Sequence, residues 1–264
     1  MKKIFIIGGR SFLGKEFSKY LHKKNFDFFS INENNSENYS IKKIKYFLEK
    51  ENPSIIVDFK FPIVSANDED FSKINDRNFF TPQNNLFSAI NSSNVIIEKF
   101  ILISSTKASS NENLYSTFKK RQEDMYKKYI EKNKLLILRL DSVFGPGDLS
   151  KTRLIPYYFR NILKNRSIEF NFSKNDEAKF IYIMDVLDNI YCEINSKKST
   201  RKSHKINFIN LIKSLNFIMK ENHNLIPNVL NKNVELNCIN MINNDNFYHN
   251  FEKTAFWYKK NLLT

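Results

Sequence analysis

Residues 1–14 read MKKIFIIGGRSFLG: a short apolar run, Lys2–Ile7, then Gly8-Gly9-Arg10-Ser11-Phe12-Leu13-Gly14, then a helical pattern. The chain has five glycines, at 8, 9, 14, 145 and 147, and all lie either here or in Phe144-Gly145-Pro146-Gly147-Asp148. Glycine is needed where the backbone takes positive φ or where a ligand must approach the main chain. A strand, a glycine turn and a helix N-terminus offer unpaired N–H groups and the positive end of a helix dipole, which suits a pyrophosphate. The spacing is G-x-x-S-x-x-G, with Ser11 where a strict G-x-G-x-x-G has glycine. The same residues also suit a strand–turn–helix with no ligand, so the motif must be weighed with the rest of the chain.

Outward from that stretch, apolar runs alternate with helical patterns. Asp27–Ile31 is expected as a strand, Ile41–Glu51 as a helix stopped by Asn52-Pro53, and Ser54–Phe59 as a buried strand. A long helical pattern over 71–92 has Pro82 as a kink or a first-turn residue. Strand Phe100–Ile103, helix Leu114–Lys132 and strand Lys134–Leu140 follow. Strand–helix alternation with short links argues for an α/β fold with a parallel, doubly wound sheet. After Gly147 the pattern changes. Helices are expected over 154–163, 184–195, 208–220 and 247–261, with short strands over 167–172 and 179–183. This part reads as a smaller C-terminal lobe, whose last helix Trp257 would anchor.

With 264 residues the chain suffices for one large α/β domain or a domain with a small lobe. No apolar run approaches the roughly 18 residues of a membrane span, and the apolar run at the N-terminus is short for a secretory signal. Cys192 and Cys238 lack metal spacing, so a cytoplasmic setting is expected. His22, His204, His223 and His249 are scattered and read as surface or packing residues, with no metal expected. The formal charge of +14 admits nucleic-acid binding, but the lysines are spread over every helix, and nucleic acid is not the favoured partner. The densest basic run, 197–205, reads as a solvated loop.

Tyr115 and Lys119 stand at i and i+4 on one expected helix. A nearby ammonium favours a phenolate, which makes Tyr115 a candidate general acid/base. Ser105, ending a strand, is placed to donate to a substrate oxygen. Glu33, about 20 residues past the glycine turn, is where a ribose 2′-hydroxyl would be held. A surface Tyr–Lys pair and a turn carboxylate remain the plain alternatives.

Taken in order, IIGGRSFLG (6–14), PSIIVDF (53–59), Asn78, FILISS (100–105), YSTFK (115–119), LRLDSVFGPGD (138–148), KFIYIMDVLDNI (179–190) and FEKTAFWYKKN (251–261) resemble the extended short-chain dehydrogenase/reductases, the NAD-dependent epimerase/dehydratase family. The resemblance runs from end to end. It implies a Rossmann-type domain over 1–148 and a smaller substrate-binding lobe over 149–264 with elements returning to the main sheet. It implies Ser105, Tyr115 and Lys119 as the catalytic set, and NAD or NADP at Gly8, Arg10, Ser11, Phe12, Leu13, Gly14, Glu33, Phe59 and Lys119. Tyr115 would exchange a proton with a sugar hydroxyl or ketone, and Lys119 would hold the cofactor ribose. A nucleotide-sugar-like substrate, in a polysaccharide pathway, is the implied partner. A homodimer through the helix carrying Tyr115 is allowed.

Departures sharpen these expectations. Thr106-Lys107 follows Ser105 where sugar-nucleotide 4,6-dehydratases carry Asp-Glu, which argues for 4-keto-sugar reduction or epimerisation over dehydration. Ala178 stands where the family places an arginine for the substrate diphosphate, so Lys179, Arg153 or the 197–205 run would have to serve, with Thr106 as a further substrate contact. The segment SANDED (65–70) inclines the reading to a reductase. Arg10 inclines the cofactor to NADP, whereas Glu33 suits NAD. A non-catalytic dinucleotide-sensing or RNA-associated protein on the same fold is the alternative.

Overall fold

A computed structural model describes residues 2–31, 39–61, 76–110, 113–170, 172–173, 175–198, 203–223, 229–230 and 245–262. These fall into two compact units, Met1–Leu140 with Ile194–Ser196, and Asp141–Glu193 with Lys197–Thr264.

In the first unit, β1 (Ile4–Ile7) is buried along its whole length, as its apolar run requires. Helix α1 (Phe12–Lys23) follows, and Ser11 caps it: the Gly14 amide donates to Ser11 Oγ at 3.1 Å. β2 (Phe28–Ser30) precedes α2 (Ile41–Glu51), which Ser40 caps and which ends at Asn52 in the left-handed region, φ 44°. Next come β3 (Ile55–Asp58), α3 (Asp76–Asn91), β4 (Lys99–Ser105), α4 (Leu114–Tyr129) and β5 (Leu135–Leu140). Pro82 lies well inside α3 rather than in its first turn. Asn113 and Ser116 form a reciprocal capping box that fixes the start of α4.

The five strands form one sheet in the order β2-β1-β3-β4-β5, and every pairing is parallel. The chain moves outward from β1 to β2 and then crosses to β3 on the other side of β1. A topological switch point therefore lies between β1 and β3, where open α/β sheets receive ligands at the carboxyl ends of their strands. Those ends are Ile7–Gly8 and Asp58–Phe59. Phe5, Ile7, Leu48, Ile56, Phe87, Leu102 and Tyr126 pack in one buried cluster.

The second unit holds β6 (Ser142–Phe144), α5 (Leu154–Ile162), β7 (Ile168–Glu169), β8 (Glu177–Tyr182), α6 (Ile183–Ile194), β9 (Ser203–Asn207), α7 (Phe208–His223), β10 (Val229–Leu230) and α8 (Asp245–Leu262). β8 runs parallel to β6 and antiparallel to β9, and β7 pairs with β10. The resemblance returns some C-terminal elements to the main sheet; the described strands after Leu140 pair only with one another. Phe144 stacks on Phe251 at 4.3 Å, and Phe159 stacks on Tyr258 at 5.0 Å.

Two local readings change. The end of the basic run is not a loop: Ser203–Asn207 is β9, where Ile206 is buried and Lys205 pairs with Glu177. The deep anchor of α8 is Tyr258 rather than Trp257. Tyr258 is fully buried and donates to the Asp148 carbonyl, while Trp257 is half-buried against it. A phenol can reach a buried acceptor with its one polar atom, which suits this position.

Candidate active site

The glycine turn is a steric necessity. Gly8 has φ +76°, and a Cβ there would stand 2.6 Å from the Lys60 amide nitrogen and 2.7 Å from the Phe59 carbonyl carbon. The turn after β1 thus packs directly against the end of β3. A Cβ on Gly14 would overlap the Gly8 carbonyl oxygen. Phe12, Leu13 and Gly14 belong to the first turn of α1, whose N–H groups have no intrahelical acceptors, and that turn holds no acidic residue. Ser11 already occupies the Gly14 amide, so the serine acts in the turn as a helix cap. Arg10 is exposed at the same turn. A turn without side chains at Gly8 and Gly9, followed by the first-turn amides of α1 at the switch point, fits a dinucleotide pyrophosphate. Phe59 is buried and its ring packs against Phe17 at 5.4 Å, so what it presents at this turn is backbone.

Ser105 closes β4 and caps the short 3₁₀ turn Thr106–Ser109, its Oγ accepting from the Lys107 amide at 3.2 Å. Tyr115 and Lys119 lie one turn apart on α4, and both meet Phe61. The Phe61 and Tyr115 rings are 5.3 Å apart and nearly perpendicular, and Lys119 Nζ sits 3.9 Å from the Phe61 ring centre. Lys119 is only 6% exposed. Its ammonium donates to the Ile103 carbonyl at 3.2 Å and to Gln122 Oε1 at 3.4 Å. Burial pulls its pKa down to about 8, against the opposing pull of the Asp58 and Glu123 charges.

The pattern Y-x-x-x-K points to the half-buried Tyr115 and to Lys119, which belongs to a larger buried set. Gln122 also donates from Nε2 to the Lys60 carbonyl at 3.1 Å, which ties the segment after β3 to α4. Asp58, 1% exposed, accepts from the Tyr126 hydroxyl and from the Lys60 amide at 2.6 Å. Burial pushes its carboxyl up to about 6, against those hydrogen bonds and the Lys119 and Lys60 charges. Asp58, Phe61, Gln122 and Tyr126 were not singled out in the sequence. One signal was available for Asp58: a carboxylate inside the apolar run SIIVDF requires a buried partner.

A second buried group braces the same helix. Glu123 accepts from Ser104 Oγ at 2.7 Å and takes a two-point contact from Arg139, at 2.9 and 2.6 Å. Burial alone would raise its pKa, but the Arg139 and Ser104 hydrogen bonds outweigh burial and hold the carboxyl below its ordinary value.

The remaining expected contacts are dispersed. Thr106 is exposed and reaches the Leu140 carbonyl at 3.5 Å. Arg153 and Lys179 belong to the second unit. Arg153 donates at 2.7 Å to Asp148, whose carboxyl is raised chiefly by burial. Lys179 is exposed on β8 opposite Lys205. Glu33, SANDED (65–70) and residues 199–202 lie outside the described residues, as does the side chain of Asn78. Among the described residues no cluster of His, Cys, Asp or Glu could hold a metal, and no helix is long and apolar enough to cross a membrane.

Residues 4–208 match the model of the NAD dependent epimerase/dehydratase family, and the chain belongs to that family. Similar solved structures include the capsular polysaccharide assembling protein CapF from Staphylococcus aureus, 18% identical with a TM-score of 0.72, covering 98% of this chain and 66% of that one. This chain therefore spans just under two thirds of CapF. The UDP-glucose 4-epimerase from Thermotoga maritima, solved with UDP-glucose, is 13% identical with a TM-score of 0.74, covering 98% and 99% of the two chains. The dTDP-glucose 4,6-dehydratase from Bacillus anthracis, solved with NAD, is 14% identical with a TM-score of 0.71, covering 99% and 97%. Comparison with curated protein sequences gave no match. These likenesses show the α/β fold with its parallel Rossmann-like sheet.

Proposed function

We propose that the chain is an NAD(P)-dependent reductase or epimerase of a nucleotide-sugar-like substrate, with Ser105, Tyr115 and Lys119 as its catalytic residues. The observation that carries this reading is the buried Lys119 ammonium one helical turn from Tyr115, in the unit whose glycine turn lies at the β1/β3 switch point. The solved complexes of similar fold with NAD and with UDP-glucose support it.

The cofactor, when bound, supplies the hydride donor or acceptor. The turn opened by Gly8 and closed by Gly14, with the Phe12 and Leu13 amides of the first turn of α1, holds its pyrophosphate. Arg10, exposed at that turn, favours the 2′-phosphate of NADP. Tyr115 gives a proton to the substrate oxygen or takes one from it. Lys119 supports the phenolate by its charge and holds the cofactor ribose. Ser105, at the carboxyl end of β4, orients the reacting oxygen. Arg153, kept in place by Asp148, and the exposed Lys179 meet the substrate's phosphates. The exposed Tyr129 on α4, stacked on Phe87 of α3, supports a homodimer through these two helices. We place this reaction in the cytoplasm, the setting that two cysteines without metal spacing suggest.

Titration with NADH and NADPH by fluorescence, alongside mass spectrometry of small molecules released from the purified protein, tests the reading. Retained NAD points to an epimerase cycle; an empty protein that binds NADPH more tightly points to a reductase. Binding of neither cofactor refutes the proposal. Tyr115→Phe should abolish turnover of a 4-keto-sugar nucleotide while leaving cofactor affinity within about twofold.

A further inference from the structure

Lys119 and Gln122 stand at i and i+3 on α4, so their side chains leave one face of the helix together. Both are buried, Gln122 completely. The Gln122 amide is used at both ends: Oε1 accepts from the Lys119 ammonium at 3.4 Å, and Nε2 donates to the Lys60 carbonyl at 3.1 Å. An ammonium only donates and a carbonyl only accepts, so these two partners allow one orientation of the amide. They also select the side chain. An ionised carboxylate has no donor for the Lys60 carbonyl, and an apolar side chain serves neither partner.

What the amide joins to the ammonium is the end of β3. Lys60 is held through its main chain on two sides, its N–H by Asp58 and its carbonyl by Gln122. The same residue is a wall of the glycine turn, its amide nitrogen and Cα lying where a Cβ on Gly8 would stand. One uncharged side chain therefore reaches from the wall of that turn to the ammonium. The contacts of the ammonium are all neutral: Gln122 Oε1, the Ile103 carbonyl and the Phe61 ring. The two carboxylates whose charges act on it are engaged elsewhere. Asp58 accepts from Tyr126 and the Lys60 amide, and Glu123 from Arg139 and Ser104. Lys60 adds its charge beside Asp58, as Arg139 and Lys127 do beside Glu123.

We propose that Gln122 is a positioning residue, which sets the Lys119 ammonium by reference to the Lys60 main chain and does so without adding a charge. This rests on the catalytic reading of Lys119 given above. The ammonium loses an acceptor when the amide is replaced by an apolar group, and gains an ionic partner when the amide becomes a carboxylate. Acceptors and opposite charges favour the charged form of a lysine. The two replacements therefore move its titration in opposite directions, which a residue that only fills space would not do.

The test uses the full chain as wild type, Gln122→Met and Gln122→Glu, with lysine carrying carbon-13 at Cε and each variant checked for wild-type fold by circular dichroism. The Lys119 resonance is the one that Lys119→Arg removes. Its titration midpoint is read from the chemical shift, with no substrate present. The alkaline limb of kcat/KM is read separately with a 4-keto-sugar nucleotide and NADPH. Gln122→Met should lower the midpoint by about one pH unit, and Gln122→Glu should raise it by about as much. The limb should follow the midpoint in both, and the glutamate variant is read alone if the methionine variant does not fold. A midpoint that stays in place in the folded variants overturns the positioning role and leaves the proposed function standing. Midpoints that move while the limb stays in place overturn the catalytic reading of Lys119, and the positioning role in the reaction with it.

Discussion

The Tyr126 hydroxyl donates to the Asp58 carboxylate across 68 positions of sequence, and neither residue is more than 1% exposed. The bond joins the carboxyl end of β3, three residues before Phe61, to the last turn of α4, the helix that carries Lys119. Tyr126→Phe removes the donor and leaves a buried carboxylate with the Lys60 amide as its remaining hydrogen-bond donor. The expected loss is about 2 kcal/mol in urea unfolding at pH 7. A change within 0.5 kcal/mol of wild type would mean that the carboxyl is protonated or finds another donor.

Asp58 also sets a pH dependence. Its folded pKa, about 6, lies above the ordinary 3.8. Between about pH 4 and 6 the native protein therefore binds more protons at this site than the unfolded chain does. The stability it contributes is fully present below the lower value and is lost as pH rises through the upper one. Asp58→Asn, which keeps an acceptor oxygen for the Lys60 amide and turns its NH2 to the Tyr126 oxygen, should abolish that slope. Plotted against pH, the stability difference between wild type and variant should move in favour of wild type as pH falls from 7 to 4. A flat difference would place the Asp58 pKa near its ordinary value.

Glu123 is the opposite case, a buried carboxylate kept ionised by Arg139 and Ser104. Arg139→Met leaves the buried charge with only Ser104 and, at 3.7 Å, the more exposed Lys127, and should cost about 3 kcal/mol. Pairing it with Glu123→Gln removes the stranded charge, so the double variant should be more stable than Arg139→Met alone. Strict additivity of the two single changes would show that the pair is not coupled.

The order of these elements was legible because one physical signal dominates each. β1, β3 and β4 are continuous apolar runs, as strands covered on both faces must be, and the glycine turn is forced by the Lys60 main chain lying where a Cβ would stand. Strand ends were less clear. The run 167–172 reads as a strand, yet among its described residues only Ile168–Glu169 pairs, and Phe170 and Phe172 take part in aromatic packing with Tyr157 and Phe208. β9 was hidden because its alternation, Ser203-His204-Lys205-Ile206-Asn207, is carried by one deeply buried residue amid polar ones. At the candidate site, Tyr115 and Lys119 share a helix and follow from spacing. Asp58 and Tyr126, or Lys60 and Gln122, meet only through the crossover from β3 to α4, and no local pattern records such a pair.

Gly8 and Ser11 separate backbone from side-chain requirements in the glycine turn. Gly8→Ala meets both a positive φ and the Lys60 main chain, and should lose dinucleotide binding together with stability. Ser11 acts through a cap bond, so Ser11→Gly should cost a few tenths of a kcal/mol and Ser11→Ala about 1 kcal/mol, both retaining the dinucleotide. Thermal melts with and without NADPH distinguish these outcomes. Loss of binding in Ser11→Gly would mean that the hydroxyl contacts the ligand.

Lys119 provides the test closest to the chemistry. Its pKa is brought down to about 8 mainly by burial, with Asp58 and Glu123 pulling the other way. The positive charge that favours the Tyr115 phenolate is therefore present below about pH 8 and fades above it. With a 4-keto-sugar nucleotide and NADPH as substrates, kcat/KM should fall along an alkaline limb near pH 8. Lys119→Arg keeps its charge through this range. Under the proposed function an arginine would meet the cofactor ribose with a different shape, so the rate should drop at least tenfold, but the alkaline limb should disappear from what remains. A limb that persists unchanged in the arginine variant would assign the titration to another group and remove Lys119 from its catalytic role.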